Sequence, residues 1–219
     1  SRERLVVIGN GMAGCRAVEE ILARDPARFA VTIFGADPRV NYNRIMLSPV
    51  LAGEKTFDDI VINGPDWYAD NGIALVSGDP VTAIDRAART VTTRSGRVEP
   101  YDRLLIATGS DPFIIPVPGH DLPGVVTFRD LDDVDRMLAA ADKGGSAVVI
   151  GGGLLGLEAA HGLSLRGMAV TVVHLMPALQ ERQLDEAAGQ LPWSAGRPSS
   201  RAATRRKLSA GMAMWPPCG

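Results

Sequence analysis

The sequence predicts an α/β protein carrying two copies of one parallel supersecondary unit, and three observations predict it. The short apolar runs Leu5–Ile8 and Ala147–Ile150 each stop at a cluster of glycines. Each glycine turn opens into a segment with apolar residues at helical spacing, and each such segment leads to another β-rich run, Ala30–Phe34 and Ala169–His174. Their first glycines, Gly9 and Gly151, are too far apart for a solenoid repeat, so the pattern is a two-domain duplication.

Taken in order, Leu5-Val6-Val7-Ile8 is rich in β-branched residues and reads as a fully buried strand. Cys15, Val18, Ile21 and Leu22 mark one face of the helix that follows, and Ala30–Phe34 closes a parallel unit whose crossover is right-handed. Residues 35–80 read as a polar loop, a short helix near Arg44–Leu51, a second helix opening at Pro65 after Gly64, and a strand over Ile73–Val76. Val81–Asp85, Thr90–Arg94 and Val98–Tyr101, with Ser95-Gly96 as a turn, read as an antiparallel excursion before the strand Arg103–Ala107. Pro112, Pro116, Pro118 and Pro123 mark a connector, because proline cannot donate to a central ladder. Asp130–Ala141 is an amphipathic helix that leads into the second copy.

Composition bounds the function. At 46% hydrophobic and 22% charged, with two cysteines, the 219 residues suit a protein that buries its own core, not a fibrous, disordered or disulfide-stapled chain. All 25 acidic residues lie within 1–190, which is net −7, whereas 191–219 is net +5. An acidic body gives no electrostatic reason to expect nucleic acid. Cys15 and Cys218 stand without a CxxC or a Cys/His cluster, so no redox disulfide, metal or iron–sulfur site is expected. With four strongly apolar residues near the N-terminus and no long uncharged run, the sequence predicts a cytoplasmic protein without a membrane partner.

The chemistry lies in the turns. Gly9-Asn10-Gly11-Met12-Ala13-Gly14 fits G-x-G-x-x-G after a strand and before a helix. The first glycine permits the tight turn, the second lets backbone N–H groups approach a pyrophosphate, and the third lets the helix pack on the strand. The helix N-terminus supplies unpaired donors and a positive dipole end for the anion. Asp37, beyond the second strand, is placed to bind a ribose hydroxyl.

Gly151-Gly152-Gly153-Leu154-Leu155-Gly156 is the second such turn, but its strand end carries His174 and no acid. With no arginine beside it, the 2′ preference stays open, and His174 reads as a strand-end residue more than as a ribose ligand. The strand through Leu104-Leu105-Ile106 delivers Ala107-Thr108-Gly109 to its carboxyl end, where ligands of open α/β sheets sit. Trp67 and Tyr68 read as packing residues, His120 and His161 as structural, and Cys15 as a small residue between helix and sheet.

With two dinucleotide turns and an Ala-Thr-Gly strand between them, the chain resembles the two-dinucleotide-fold flavoprotein reductases. More narrowly, Asn41-Tyr42-Asn43-Arg44-Ile45-Met46-Leu47-Ser48-Pro49-Val50-Leu51 and Val172-Val173-His174-Leu175-Met176-Pro177 are similar to the N-terminal reductase region of the large subunit of assimilatory NAD(P)H nitrite reductases. The resemblance covers about residues 4–190 and implies an FAD/NAD(P)-binding Rossmann-like tandem. Residues 1–116 are then the FAD domain without its return segment and 117–190 the N-terminal part of an NAD(P) domain, both incomplete.

The resemblance further implies that Gly9, Gly11, Met12, Ala13 and Gly14 hold the FAD pyrophosphate and Asp37 its adenosine ribose. It places Arg44 and Ser48 at the inner flavin site, Val81 against the adenine, and Ala107, Thr108 and Gly109 near the flavin, with Arg129 as a further contact. Gly151, Gly153, Leu154, Leu155 and Gly156 would hold NAD(P)H, with Glu158 toward the nicotinamide. No catalytic acid, base or nucleophile is implied.

Related ferredoxin and rubredoxin reductases often carry a lysine where Pro49 stands here. The implied partner is an electron acceptor, either the siroheme and iron–sulfur part of a nitrite reductase or a small electron carrier. From about residue 190 the text loses its acids and its apolar period. Residues 191–219 are therefore expected to be an aberrant, disordered tail, and the chain to be an inactive truncated fragment with uncovered sheet faces.

Overall fold

A computed structural model describes residues 2–175 and 206–207. In chain order its elements are β1 (Glu3–Ile8), α1 (Met12–Arg24), β2 (Phe29–Gly35), β3 (Asn41–Tyr42), α2 (Leu47–Ala52), β4 (Val61–Asn63), α3 (Pro65–Asp70), β5 (Ala74–Ser77), β6 (Val81–Asp85), β7 (Thr90–Thr93), β8 (Val98–Pro100), β9 (Arg103–Ile106), α4 (Leu131–Asp142), β10 (Ser146–Ile150), α5 (Leu154–Leu165), β11 (Ala169–His174) and β12 (Arg206–Lys207). The chain separates into two compact units, one of Ser1–Ile45 with Thr56–Pro112 and one of Met46–Lys55 with Phe113–Gly219.

The first unit is built on a parallel sheet in the order β5-β2-β1-β9. Val7 of the central strand is paired with Ile33 on one side and Leu105 on the other. Both faces of β1 are buried, which is why its sequence is a continuous apolar run and not an alternating one. Leu5 and Val7 pack in a cluster with Val18 of α1, Val31, Ile33, Tyr68 and Ile73. Val6 and Ile8 pack on the opposite side with Phe34, Val91 and Tyr101. Val91 comes from the antiparallel sheet β6-β7-β8, so the excursion covers the sheet face that α1 leaves open.

A feature absent from the sequence reading is the two-residue ladder between β3 and β4. The predicted polar loop is in fact anchored by buried asparagines: Asn41 Nδ2 donates to Asn63 Oδ1 at 2.7 Å, and Asn63 Nδ2 donates to Glu19 at 2.9 Å. These bonds offset the cost of burying three of the four side-chain amide atoms, while Asn41 Oδ1 is buried with no partner among the described residues.

In the second unit β10 and β11 pair in parallel, with Val149 opposite Val172, and Arg206–Lys207 pairs in parallel with the end of β11. Apart from that pair, the segment expected to be disordered, 191–219, lies outside the described residues. Leu157, Ala159, Ala160 and Leu163 of α5 are buried with Val170 and Val172. The start of α4 is fixed by Asp130, whose side chain accepts from Asp133 N–H, and by the buried Asp133, which accepts from Thr127 Oγ1 and Arg129 N–H, each at 2.8 Å.

The short helix α2 is docked along α5 at three levels. Ser48 Oγ donates to Glu158 Oε2 at 2.5 Å. Leu51 lies against Gly162, where a Cβ would come within 2.7 Å of the leucine Cγ. Arg166 Nε donates to Leu51 O at 2.8 Å, which satisfies a helix-end carbonyl. This places segment 46–55 with the second unit, although in sequence it falls between elements of the first.

Candidate dinucleotide-binding turns

The first turn is assembled by close backbone approach. Gly9 N–H donates to Phe34 O at 2.7 Å and Ala107 N–H to Ile8 O at 2.8 Å, so β2 and β9 converge on the end of β1. Gly9 has φ +117°, and a Cβ there would come within 2.0 Å of Ala107 O. A Cβ at Gly14 would come within 2.3 Å of Gly9 O. Gly11 is different: it caps α1 without a side chain, and nothing lies within 4 Å of the place its Cβ would occupy. The first and third glycines are therefore required by the protein's own backbone, whereas the second leaves open space at an uncapped helix N-terminus, where donors are unpaired.

The second turn repeats this arrangement. Gly151 has φ +121° and its N–H donates to Val173 O at 2.9 Å. Gly153 caps α5 with no side-chain bond and no atom near its missing Cβ. At Gly156 a Cβ would come within 2.1 Å of Gly151 O. Even the supporting valine recurs, Val7 Cγ1 at 3.4 Å from the Gly14 position and Val149 Cγ1 at 3.5 Å from the Gly156 position. Two independent turns with the same open second glycine fit a pair of diphosphate-bridged dinucleotides.

The remaining predicted residues are distributed as follows. Met12 and Ala13 occupy the first turn of α1, Ala13 exposed. The Asp37 carboxylate accepts from Arg39 N–H at 3.0 Å and Tyr42 Oη at 2.8 Å, with the Arg44 guanidinium at 3.8 Å. Three groups thus fix the acid at the strand end. Val81 turns its side chain toward the Phe34–Val91 cluster, and the ladder is irregular between Val81 and Ala83. Thr108 and Gly109 follow Ala107 as exposed residues, Gly109 with φ +77°.

In the second unit Leu154 and Leu155 are exposed at the start of α5, and Glu158, one turn on, holds Ser48. Arg129 lies in the turn before α4. Arg44 and Ser48, expected together, fall in different units.

The sequence reading missed Asn10, the variable residue inside the first turn. Its Oδ1 accepts from Tyr68 Oη at 2.8 Å and from Cys15 Sγ at 3.2 Å, while its Nδ2 donates to Arg39 O at 3.3 Å. Tyr68 is thus a packing residue that also braces the turn, and its only sequence signal is a tyrosine where a phenylalanine would fill the space. Burial pushes the Cys15 thiol up to about 11 and the Tyr68 hydroxyl higher still, so neither ionises near neutrality. Among the described residues no cluster of metal-ligating side chains occurs, and no helix is long and apolar enough to cross a membrane.

Comparison with known proteins places this geometry. A family model described as pyridine nucleotide-disulphide oxidoreductase matches residues 3–194. Nitrite reductase [NAD(P)H] of Bacillus subtilis (strain 168) is 54% identical over 190 residues, which is 87% of this chain and 24% of that protein. The assimilatory nitrate reductase electron transfer subunit of the same organism is 47% identical, over 87% of this chain and 25% of that protein. The chain therefore spans about a quarter of the length of these curated relatives. The crystal structure of NADH:rubredoxin oxidoreductase from Clostridium acetobutylicum superposes with a TM-score of 0.76 at 30% identity, over 86% of this chain and 49% of that one.

Proposed function

The chain belongs to the pyridine nucleotide-disulphide oxidoreductase family, and from that premise we propose that it is the FAD- and NAD(P)H-binding region of an assimilatory oxidoreductase of the nitrite reductase type. When bound, the two cofactors supply the chemistry, a hydride passing from the nicotinamide to the flavin and electrons passing onward. The polypeptide's part is to bind and orient. The N–H groups of Gly11, Met12 and Ala13 at the head of α1 receive the FAD diphosphate, and Asp37, held by Arg39 and Tyr42, receives its ribose. The head of α5, at Gly153, Leu154 and Leu155, receives the second dinucleotide. Glu158, fixed by Ser48, stands one turn further along on the nicotinamide side.

The observation that carries this reading is the duplicated open glycine, Gly11 and Gly153, each at an uncapped helix head. No protein group needs to act as acid, base or nucleophile. Relatives named nitrite reductase [NAD(P)H] and assimilatory nitrate reductase electron transfer subunit support an acceptor in nitrite or nitrate reduction, with a small electron carrier as the alternative.

The test is nucleotide titration of the chain and of Gly11→Asp and Gly153→Asp. A carboxylate at the helix head meets the diphosphate directly, so Gly11→Asp should weaken FAD at least about tenfold and Gly153→Asp should do the same to NAD(P)H, each leaving the other ligand in place. If neither substitution changes either affinity, the reading fails.

A further inference from the structure

The first turn carries a side chain that the second lacks. Asn10 stands between Gly9 and Gly11, and at the equivalent point between Gly151 and Gly153 stands Gly152. Gly35 leaves room for Asn10, since a Cβ at residue 35 would come within 2.9 Å of Asn10 Cβ. From one side the core holds the amide: Asn10 Oδ1 accepts from Tyr68 Oη at 2.8 Å and from Cys15 Sγ at 3.2 Å, and Tyr68 Oη in turn accepts from Asn41 N–H at 3.2 Å. On the other side Asn10 Nδ2 donates to Arg39 O at 3.3 Å. A backbone carbonyl can only accept, so the amide has to turn its NH2 group toward Arg39, and the reversed amide would set two oxygens against each other.

Arg39 belongs to residues 36–40, which follow β2 and form neither helix nor strand. Its own N–H donates to Asp37 Oδ1 at 3.0 Å. Two bonds, Asn10 Nδ2 to Arg39 O and Arg39 N–H to Asp37, therefore connect the glycine turn with the acid proposed for the ribose. In a dinucleotide the diphosphate and that ribose are covalently joined, so turn and acid have to be presented at one separation. A loop that had to be ordered on binding would forfeit part of the affinity. We propose that Asn10 is a positioning residue, whose amide locks residues 36–40 to the first turn and so presents Asp37 and the head of α1 as one preformed site for the adenosine diphosphate half of FAD. The assignment rests on the FAD reading of the first unit.

Amide hydrogen exchange and FAD titration test it, on the 219-residue chain, Asn10→Ala, Asp37→Ala and the double variant. Without ligand, Asn10→Ala should speed exchange of the Arg39 amide at least about tenfold while β1 and β2 exchange as before. With FAD, Asn10→Ala should raise the Kd about tenfold where Asp37 is present and less than about threefold in the Asp37→Ala chain. A lock that acts through Asp37 has nothing to present once the carboxylate is gone. Equal factors with and without Asp37 would make Asn10 a packing residue only and overturn the proposal, and unchanged exchange at Arg39 would do the same. If Asn10→Ala does not fold, Tyr68→Phe takes its place in the cycle: it keeps the ring in the core and removes the hydroxyl that holds the amide. Its effect on FAD should likewise vanish in the Asp37→Ala chain, and persistence there overturns the proposal. An unsubstituted chain that binds no FAD overturns the FAD reading, while exchange at Arg39 still decides whether Asn10 holds the loop.

Discussion

At the scale of single residues, the three glycines of each turn are not interchangeable. Gly14 and Gly156 meet the carbonyl oxygens of Gly9 and Gly151 at distances no Cβ tolerates, and a backbone oxygen cannot turn aside as a side chain can. Gly14→Ala should therefore destabilise the first unit by about 3 kcal/mol, measured by denaturant unfolding, whereas Gly11→Ala should cost well under 1 kcal/mol because its Cβ enters open space. Similar losses for the two variants would contradict this division of roles. The spacing of the three glycines was legible in the sequence because each spacing encodes a separate constraint. The exclusion between Asn10 and Gly35 was not, since nothing in the chain shows that these two positions share one corner. The pairing of Ser48 with Glu158 was not legible either, the two being 110 residues apart.

At the scale of elements, periodicity revealed the helices and strands that bury an apolar face, and it failed where polar pairing does the holding. The ladder of β3 and β4 is two residues long and is anchored by asparagines, so it has no apolar period to read. The docking of α2 on α5 is another case. Arg166 Nε and one of its terminal nitrogens reach Leu51 O and Val50 O at 2.8 and 3.3 Å, closing the end of a helix only six residues long. Arg166→Ala should lower stability by about 1 kcal/mol and raise amide exchange in 47–55 before the rest of the second unit. Uniform exchange across that unit would show that Arg166 does not anchor α2.

The start of β9 is held by charge. Asp102 accepts from Arg4 N–H at 2.8 Å and from the Arg4 guanidinium at 2.9 and 3.0 Å. These bonds keep its carboxyl well below the usual carboxylate range. A depressed folded-state value means that the unfolded chain binds the proton first, so the stabilisation is complete above about pH 4 and is lost as pH falls below it. Asp102→Asn should flatten the acid limb of a stability-against-pH curve. An unchanged limb would assign acid unfolding to other carboxylates.

At the scale of the whole molecule, the two units share one turn and differ in what completes the sheet around it. In the first unit β9 pairs with β1 and delivers Ala107 against Gly9, and the β6-β7-β8 sheet covers the face opposite α1. In the second unit nothing lies within 4 Å of the Gly151 Cβ position, where Ala107 would have its counterpart among the described residues. The valines facing α5, Val170 and Val172, are buried, while on the other face Val148 and Ile150 are 56% and 59% exposed. Residues that point to opposite sides of a strand thus experience opposite environments. Two large apolar side chains side by side on a sheet face that no described element covers favour association, because burying them against any neighbour removes apolar area from water. Replacing both with threonine keeps the β-branched shape at 148 and the strand propensity at both positions while removing most of the attraction. Val148→Thr with Ile150→Thr should shift sedimentation of the chain toward monomer with an unchanged far-ultraviolet circular dichroism spectrum. The same change should leave the Gly153 turn able to bind nucleotide, since neither residue is part of it. Association that persists in the double variant would have to come from another surface.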